Sequence, residues 1–159
     1  MSRGSRTRAP DWVSYDAVVE PYERYHVDRG YSLLAQDIVL MLGLPNGANV
    51  LDVGTGTGEA ALAAAARCDG VVAGLDPSLP MLRRAVEKGL RLEIVGEAPG
   101  LPFHSWQFDA VVASLVITHF AHYEEGLDDL VGGQVRRETR RYCMGCGHQS
   151  TRSPVATHR

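Results

Sequence analysis

Apolar residues change their spacing along this chain in a way that separates helices from strands. Between Asp11 and Leu42 they recur at helical intervals, as in Leu34, Ile38 and the Met41-Leu42 pair, which predicts two helices with Pro21 and Gly30 as breaks. After the turn signal Pro45-Asn46-Gly47 the pattern shifts to short apolar runs separated by helical stretches. The runs Asn49–Val53, Val71–Asp76, Leu92–Ala98 and Ala110–Ile117 read as four strands, the last being the most apolar and suited to a central position buried on both faces. Between them, Ala60–Ala66 reads as a helix, and a second helix follows Ser78, a suitable N-cap, with Pro80 in its first turn where no N–H is needed. Tyr123–Val131 carries Leu127, Leu130 and Val131 on one side and reads as one more amphipathic helix. Beyond Val131 neither periodicity continues. Strands alternating with helices predict an α/β fold with a parallel sheet.

The junction between the first strand and its helix carries the chemistry. In Asn49-Val50-Leu51-Asp52-Val53-Gly54-Thr55-Gly56-Thr57-Gly58-Glu59 the glycines permit a tight turn and close approach of a ligand, with free N–H groups at the start of the next helix. Asp52 places a carboxylate at the mouth of that turn, which repels a pyrophosphate and suits a ligand bearing an amine. Asp76, at the end of the second strand, stands where a Rossmann-type fold places an acceptor for ribose hydroxyls. Gly56-Thr57-Gly58-Glu59-Ala60-Ala61 also fits the looser dinucleotide fingerprint, and Asp76 serves NAD equally well, so a dinucleotide-binding domain is the rival reading.

With these residues the chain resembles the class I S-adenosylmethionine (SAM)-dependent methyltransferases, whose first motif is an acidic residue two positions before Gly-x-Gly-x-Gly. Three further segments agree in order: Val71–Asp76, Leu92–Ala98 as the adenine-edge motif, and Phe108–Ser114 as the fourth-strand motif. Leu101-Pro102-Phe103 adds to the likeness and has no stated role in a dehydrogenase. The resemblance covers roughly Trp12 to Val131. It implies a Rossmann-like parallel sheet with helices on both faces, SAM as cofactor, and methyl transfer to a small-molecule acceptor. Gly54, Thr55, Gly56 and Gly58 would shape the pocket, Asp52 would meet the amino group, and Asp76 with Pro77 the ribose. Glu97, where the family usually has Asp, and Ala98 would meet the adenine edge. Leu79, Met81 and Leu82 lie at the right distance to wall the adenine, and Ser114 and Leu115 would lie near the amino-acid end. His119 or His122 could take a proton from the acceptor, since an unperturbed histidine titrates near neutrality. Histidines after strands are nonetheless more often structural. Tyr15, Tyr22 and Tyr25 could meet the sulfonium through cation–π contact, although packing is the commoner role of such tyrosines.

A length of 159 residues accommodates one domain. No apolar run approaches the roughly 20 residues of a membrane span, and the basic segment 1–10 lacks the apolar stretch of a secretory signal, so a disordered N-terminus and a cytoplasmic location are expected. The net charge of −3 conceals an uneven distribution. Residues 11–131 hold 18 Asp and Glu against 7 Lys and Arg, whereas residues 132–159 hold six Arg and one Glu. A basic tail can bind nucleic acid, but this one has only Tyr142 as an aromatic, which argues against a stacking platform. Cys143-Met144-Gly145-Cys146, with His148, has the spacing of half a zinc site; Cys68 lies far away in the sequence, and no metal is expected.

Residues 132–159 are read as a basic, non-periodic and disordered tail that contributes no strand, leaving the fold C-terminally truncated. Fifteen of the sixteen basic residues are Arg, a composition that a GC-rich gene read out of frame would also give. On this reading the fourth strand forms an exposed apolar edge open to self-association. The alternatives to an active enzyme are a chain that binds SAM without turnover and the NAD-type domain.

Overall fold

The structure, a computed structural model, describes residues 11–28, 30–104, 107–120, 122–130 and 141–145. In chain order, a 3-10 helix (Asp11–Ala17) is followed by α1 (Val19–Asp28), α2 (Tyr31–Leu42), β1 (Val50–Val53), α3 (Glu59–Ala65), β2 (Val72–Asp76), α4 (Leu79–Glu87) and β3 (Glu93–Val95). Then come β4 (Ala110–Ser114), a second 3-10 helix (Ile117–His119), α5 (Tyr123–Asp128) and β5 (Arg141–Gly145).

The sheet has the order β3-β2-β1-β4-β5 with every pairing parallel. Its two-residue period divides the core. Val50, Val72, Ala110 and Val112 face one layer, where they meet Ala35, Ile38, Val39 and Leu42 of α2 and the alanines of α3. Leu51, Val53, Ala73, Leu75, Val111 and Ala113 face the other, against Ala98, Leu101, Phe108, Ile117 and Leu130. Helices α2, α3 and α4 therefore cover one face, and the connection from β3 to β4 together with α5 covers the second. The small residues of α3 let it approach the sheet closely, and Ala61 and Ala64 are fully buried. Ser78 caps α4 by accepting the Met81 N–H at 3.4 Å, with Pro80 in the first turn as expected. Since all strands run the same way, their C-terminal ends share one rim, where open α/β sheets hold ligands.

Three expectations are corrected. Pro21 does not break a helix; it lies in the first turn of α1, where its missing N–H costs no hydrogen bond, and the segment before β1 forms three helical elements instead of two. The fourth strand stops at Ser114 instead of reaching Ile117, because Leu115 takes a left-handed φ of 60° that turns the chain off the sheet. Residues 132–159 do contribute a strand: β5 pairs with β4 from Ala110↔Arg141 to Ser114↔Gly145. Parallel pairing uses backbone groups that every residue but proline carries, so Arg-Tyr-Cys-Met-Gly needs no hydrophobic alternation to join. The edge of β4 is thereby paired, and the sheet ends at β3 and β5. The expectations for residues 1–10, 132–140 and 146–159 lie outside the described residues.

Candidate functional site

Parallel strands and the glycine turn bring the sequence-predicted residues to one cavity above the C-terminal rim. Its wall runs from Gly54 and Gly56 after β1, through Asp76, Pro77 and Met81 after β2, to Gly96, Glu97 and Ala98 after β3. Ser114, Leu115 and Val116 complete it on the side of β4. Gly54 has φ +69°, and a Cβ there would lie 2.2 Å from Val116 Cγ2, so the turn is compatible only with glycine at this point. Met81 lines the cavity, whereas Leu82 is fully buried in the core and Leu79 is exposed.

Asp76 ties two walls together. One carboxylate oxygen accepts the Gly56 N–H at 2.8 Å and the other the Ser78 N–H at 2.9 Å. Burial raises its pKa, and the hydrogen bonds from Ser78 and Gly56 pull the other way. Each oxygen has a second lone pair directed elsewhere, the requirement for accepting from a diol.

Asp52 occupies a different place from the one its sequence position suggests. It is 2% exposed and points at the start of α3, where one oxygen accepts the Thr55 hydroxyl at 2.8 Å and the Ala61 N–H at 3.0 Å. Burial pushes its pKa up to about 7, against the lowering effect of those two bonds. It lines a smaller cavity with Thr55, Thr57 and Tyr31, which shares Tyr22, Gly54, Ser114 and Leu115 with the main one. Thr57 Oγ1 is buried there with no hydrogen-bond partner among the described residues. An orphaned hydroxyl beside a buried carboxylate fits the polar end of an amino-acid ligand, because such a group supplies both a donor and an acceptor. Gly58 lines neither cavity; it precedes α3 in a left-handed conformation, and its carbonyl accepts the Leu62 N–H.

The N-terminal segment closes over the opening. Tyr15 and Tyr22 line the main cavity and meet edge to face at 5.6 Å. Tyr22 stands over the turn, with its hydroxyl 3.7 Å from where a Gly56 Cβ would be, and burial foremost raises its pKa. Tyr15 Oη lies 3.3 Å from His119 Nε2, and the two rings are also perpendicular at 5.6 Å. Asp16 accepts the Ser78 hydroxyl at 2.6 Å, and Glu23 of α1 pairs with Arg84 at 2.7 Å and Lys88 at 3.4 Å on α4. These contacts join residues about 60 to 100 positions apart, which no local pattern encodes.

Tyr25 lines neither cavity but stacks on Tyr31, which lines the smaller one, and His122 is exposed before α5 and lines neither. Sequence reading missed Val116 and Phe120, which line the cavity beside His119. Their signal was position alone, immediately after the C-terminal end of a central strand. Among the described residues no group of three or more His, Cys, Asp or Glu could hold a metal ion, and no helix is long and apolar enough to cross a membrane. The Cys143–Cys146 pair falls outside the residues whose side chains are described.

Known proteins share sequence or fold with this chain. The profile of a family described as a methyltransferase domain matches residues 50–131. No curated protein matches. Among solved structures, a SAM-dependent methyltransferase of Thermotoga maritima, described as a possible histamine N-methyltransferase, is 25% identical with a TM-score of 0.69, over 84% of this chain and 60% of that one. A complex containing the Haloferax volcanii Trm112 methyltransferase activator matches at 20% identity and a TM-score of 0.73, over 87% of this chain and 61% of that one. Haemonchus contortus phosphoethanolamine N-methyltransferase 1, solved with phosphoethanolamine and S-adenosylhomocysteine, matches at 16% identity and a TM-score of 0.67, over 93% of this chain and 34% of that one. The chain thus spans about three fifths of the first two.

Proposed function

This chain belongs to the methyltransferase domain family, and we propose that its cavity binds SAM and directs the methyl group to a small-molecule acceptor at the Tyr15–His119 rim. The observation that carries this is the convergence on one cavity of four segments distant in sequence: Gly54–Gly56, Asp76–Pro77, Gly96–Ala98 and Ser114–Val116. When bound, SAM supplies a methyl group on a sulfonium, so the acceptor's lone pair forms the new bond to carbon as the carbon–sulfur bond breaks.

The protein's part is orientation and exclusion of water. Asp76 accepts from the ribose hydroxyls on the lone pairs left by Gly56 and Ser78. Glu97 and Ala98 lie at the adenine edge, and Met81 packs against the ring. Asp52 and Thr57 receive the amino-acid end in the smaller cavity, with Leu115 held beside it by its left-handed backbone. Tyr15 and Tyr22 cover the sulfonium with their rings. His119, on the exposed side of the cavity, takes the acceptor's proton and passes it to solvent.

Isothermal titration with SAM and S-adenosylhomocysteine, and with NAD as control, tests the assignment. Binding of the first two with NAD weaker supports it, and tighter binding of NAD makes this a dinucleotide domain. A second reading, binding without turnover, is favoured by the share of the related structures that the chain spans. It predicts binding of SAM with no methyl transfer to any acceptor.

A further inference from the structure

The rim of the cavity is aromatic and, among the described residues, carries no Lys or Arg, which bears on what can dock there. Tyr15, Tyr22, His119 and Phe120 line it. The Tyr15 ring stands edge-on to both Tyr22 and His119, at 5.6 Å in each case. Phe120 is fixed from behind, because a Cβ on Gly126 of α5 would lie 2.6 Å from its ring. Both charged side chains lining the cavity are carboxylates, Asp76 and Glu97, and among the described residues no Lys or Arg lines it. Of the basic residues nearby, Arg84 of α4 and Lys88 just after it are engaged with Glu23, Glu87 and Glu59, and the exposed Arg83 of α4 does not line the cavity.

Among the described residues an anionic acceptor entering such a site would shed its hydration and find no counter-charge besides the cofactor's own sulfonium, whereas a cation meets the rings of Tyr15, Phe120 and His119. Resting on the SAM reading above, we infer that the acceptor is an amine that arrives as a cation and bears no carboxylate or phosphate. The amine must lose one proton before it reacts. That proton passes to His119 and from there to solvent, since the residue is exposed. The freed nitrogen lone pair then forms the bond to the methyl carbon, and the electron pair of the broken carbon–sulfur bond stays on sulfur. Charge balances, with the sulfonium becoming a neutral thioether, the methylated nitrogen carrying a positive charge and one proton released.

The experiment uses the full chain saturated with S-adenosylhomocysteine and three probes of one shape and different charge: phenethylamine, phenethyl alcohol and phenylacetate, followed by titration. Phenethylamine is expected to bind about threefold or more tighter than the alcohol and at least about tenfold tighter than phenylacetate. Tyr15→Leu is expected to remove most of that preference, with the circular-dichroism spectrum and denaturation midpoint measured on the same samples as the control for folding. Tightest binding of the alcohol or phenylacetate, equal binding of all three, or binding of none overturns the amine assignment while leaving the cofactor site in place. Failure of S-adenosylhomocysteine itself to bind instead overturns the reading on which it rests.

Discussion

The Gly56 N–H donates to Asp76 Oδ2 at 2.8 Å, so the carboxylate at the end of β2 also holds the glycine turn that follows β1. Ligand recognition and the shape of the turn are therefore coupled through one side chain. Asp76→Ala removes the acceptor for the Gly56 and Ser78 N–H groups and both bonds to a ribose, each charge-assisted bond being worth about 1.5–3 kcal/mol. Affinity for SAM, measured by titration calorimetry, should fall at least about tenfold with the circular-dichroism spectrum retained. An unchanged dissociation constant would place the ribose elsewhere.

If Asp52 receives the ligand amine as proposed, binding should depend on pH. Its pKa in the folded protein, about 7, lies above the usual carboxylate value, so the folded state holds a proton that the unfolded chain has released. Two consequences follow, of opposite sign. The group's contribution to stability is fully present at pH below about 4 and is lost as pH rises to about 7. A ligand amine beside it favours the ionised form, so SAM binding should release a proton and strengthen by about tenfold from pH 6 to 7.5, before an α-amino group begins to lose its own charge near pH 8. Calorimetry in buffers of different ionisation enthalpy measures the proton released. Asp52→Asn should flatten the profile, and a profile as steep as that of the parent would deny Asp52 this role.

Gly54→Ala tests the floor of the cavity. The added Cβ meets Val116 Cγ2 at 2.2 Å and imposes φ +69° on a residue with a side chain. Backbone strain and overpacking together should cost about 2–4 kcal/mol by chemical denaturation. Gly100→Ala is the control: its φ is +106° with nothing within 4 Å of the new carbon, so it carries backbone strain alone. Val116→Gly in the Gly54→Ala background should recover the packing part, and full additivity of the two changes would show that the contact carries no energy.

Two contacts between the N-terminal segment and α4 should differ in weight. Ser78 is buried, caps α4 and donates to Asp16 at 2.6 Å, so Ser78→Ala should destabilise by about 1–2 kcal/mol. Glu23 pairs with the more exposed Arg84 and Lys88, and such pairs are worth about 1 kcal/mol or less. Glu23→Gln should therefore cost less than Ser78→Ala in the same denaturation experiment. The reverse order would make the ion pairs the principal tie.

Removing residues 132–159 should uncover the edge of β4. The parallel ladder from Ala110↔Arg141 to Ser114↔Gly145 would be lost, exposing backbone donors and acceptors along an apolar strand. Sedimentation velocity should then show self-association greater than that of the full chain. A monomeric shortened chain with the same denaturation midpoint would mean that β5 contributes little.

By itself the sequence determined the elements whose causes are local. Apolar runs of strand length, glycines with positive φ at positions 54, 56 and 58, and Ser78 two residues before Pro80 set β1, β2, α3, α4 and the end of β2 where Asp76 stands. Only the tertiary structure decided the rest. Tyr15 meets His119 across 104 positions, and Asp16 accepts the Ser78 hydroxyl across 62. The strand Arg141–Gly145 had no apolar signature, since its place depends on the open backbone groups of β4 and not on its own side chains. Such contacts depend on which surfaces the folded sheet leaves adjacent, a property of the assembled layers that no window of residues contains.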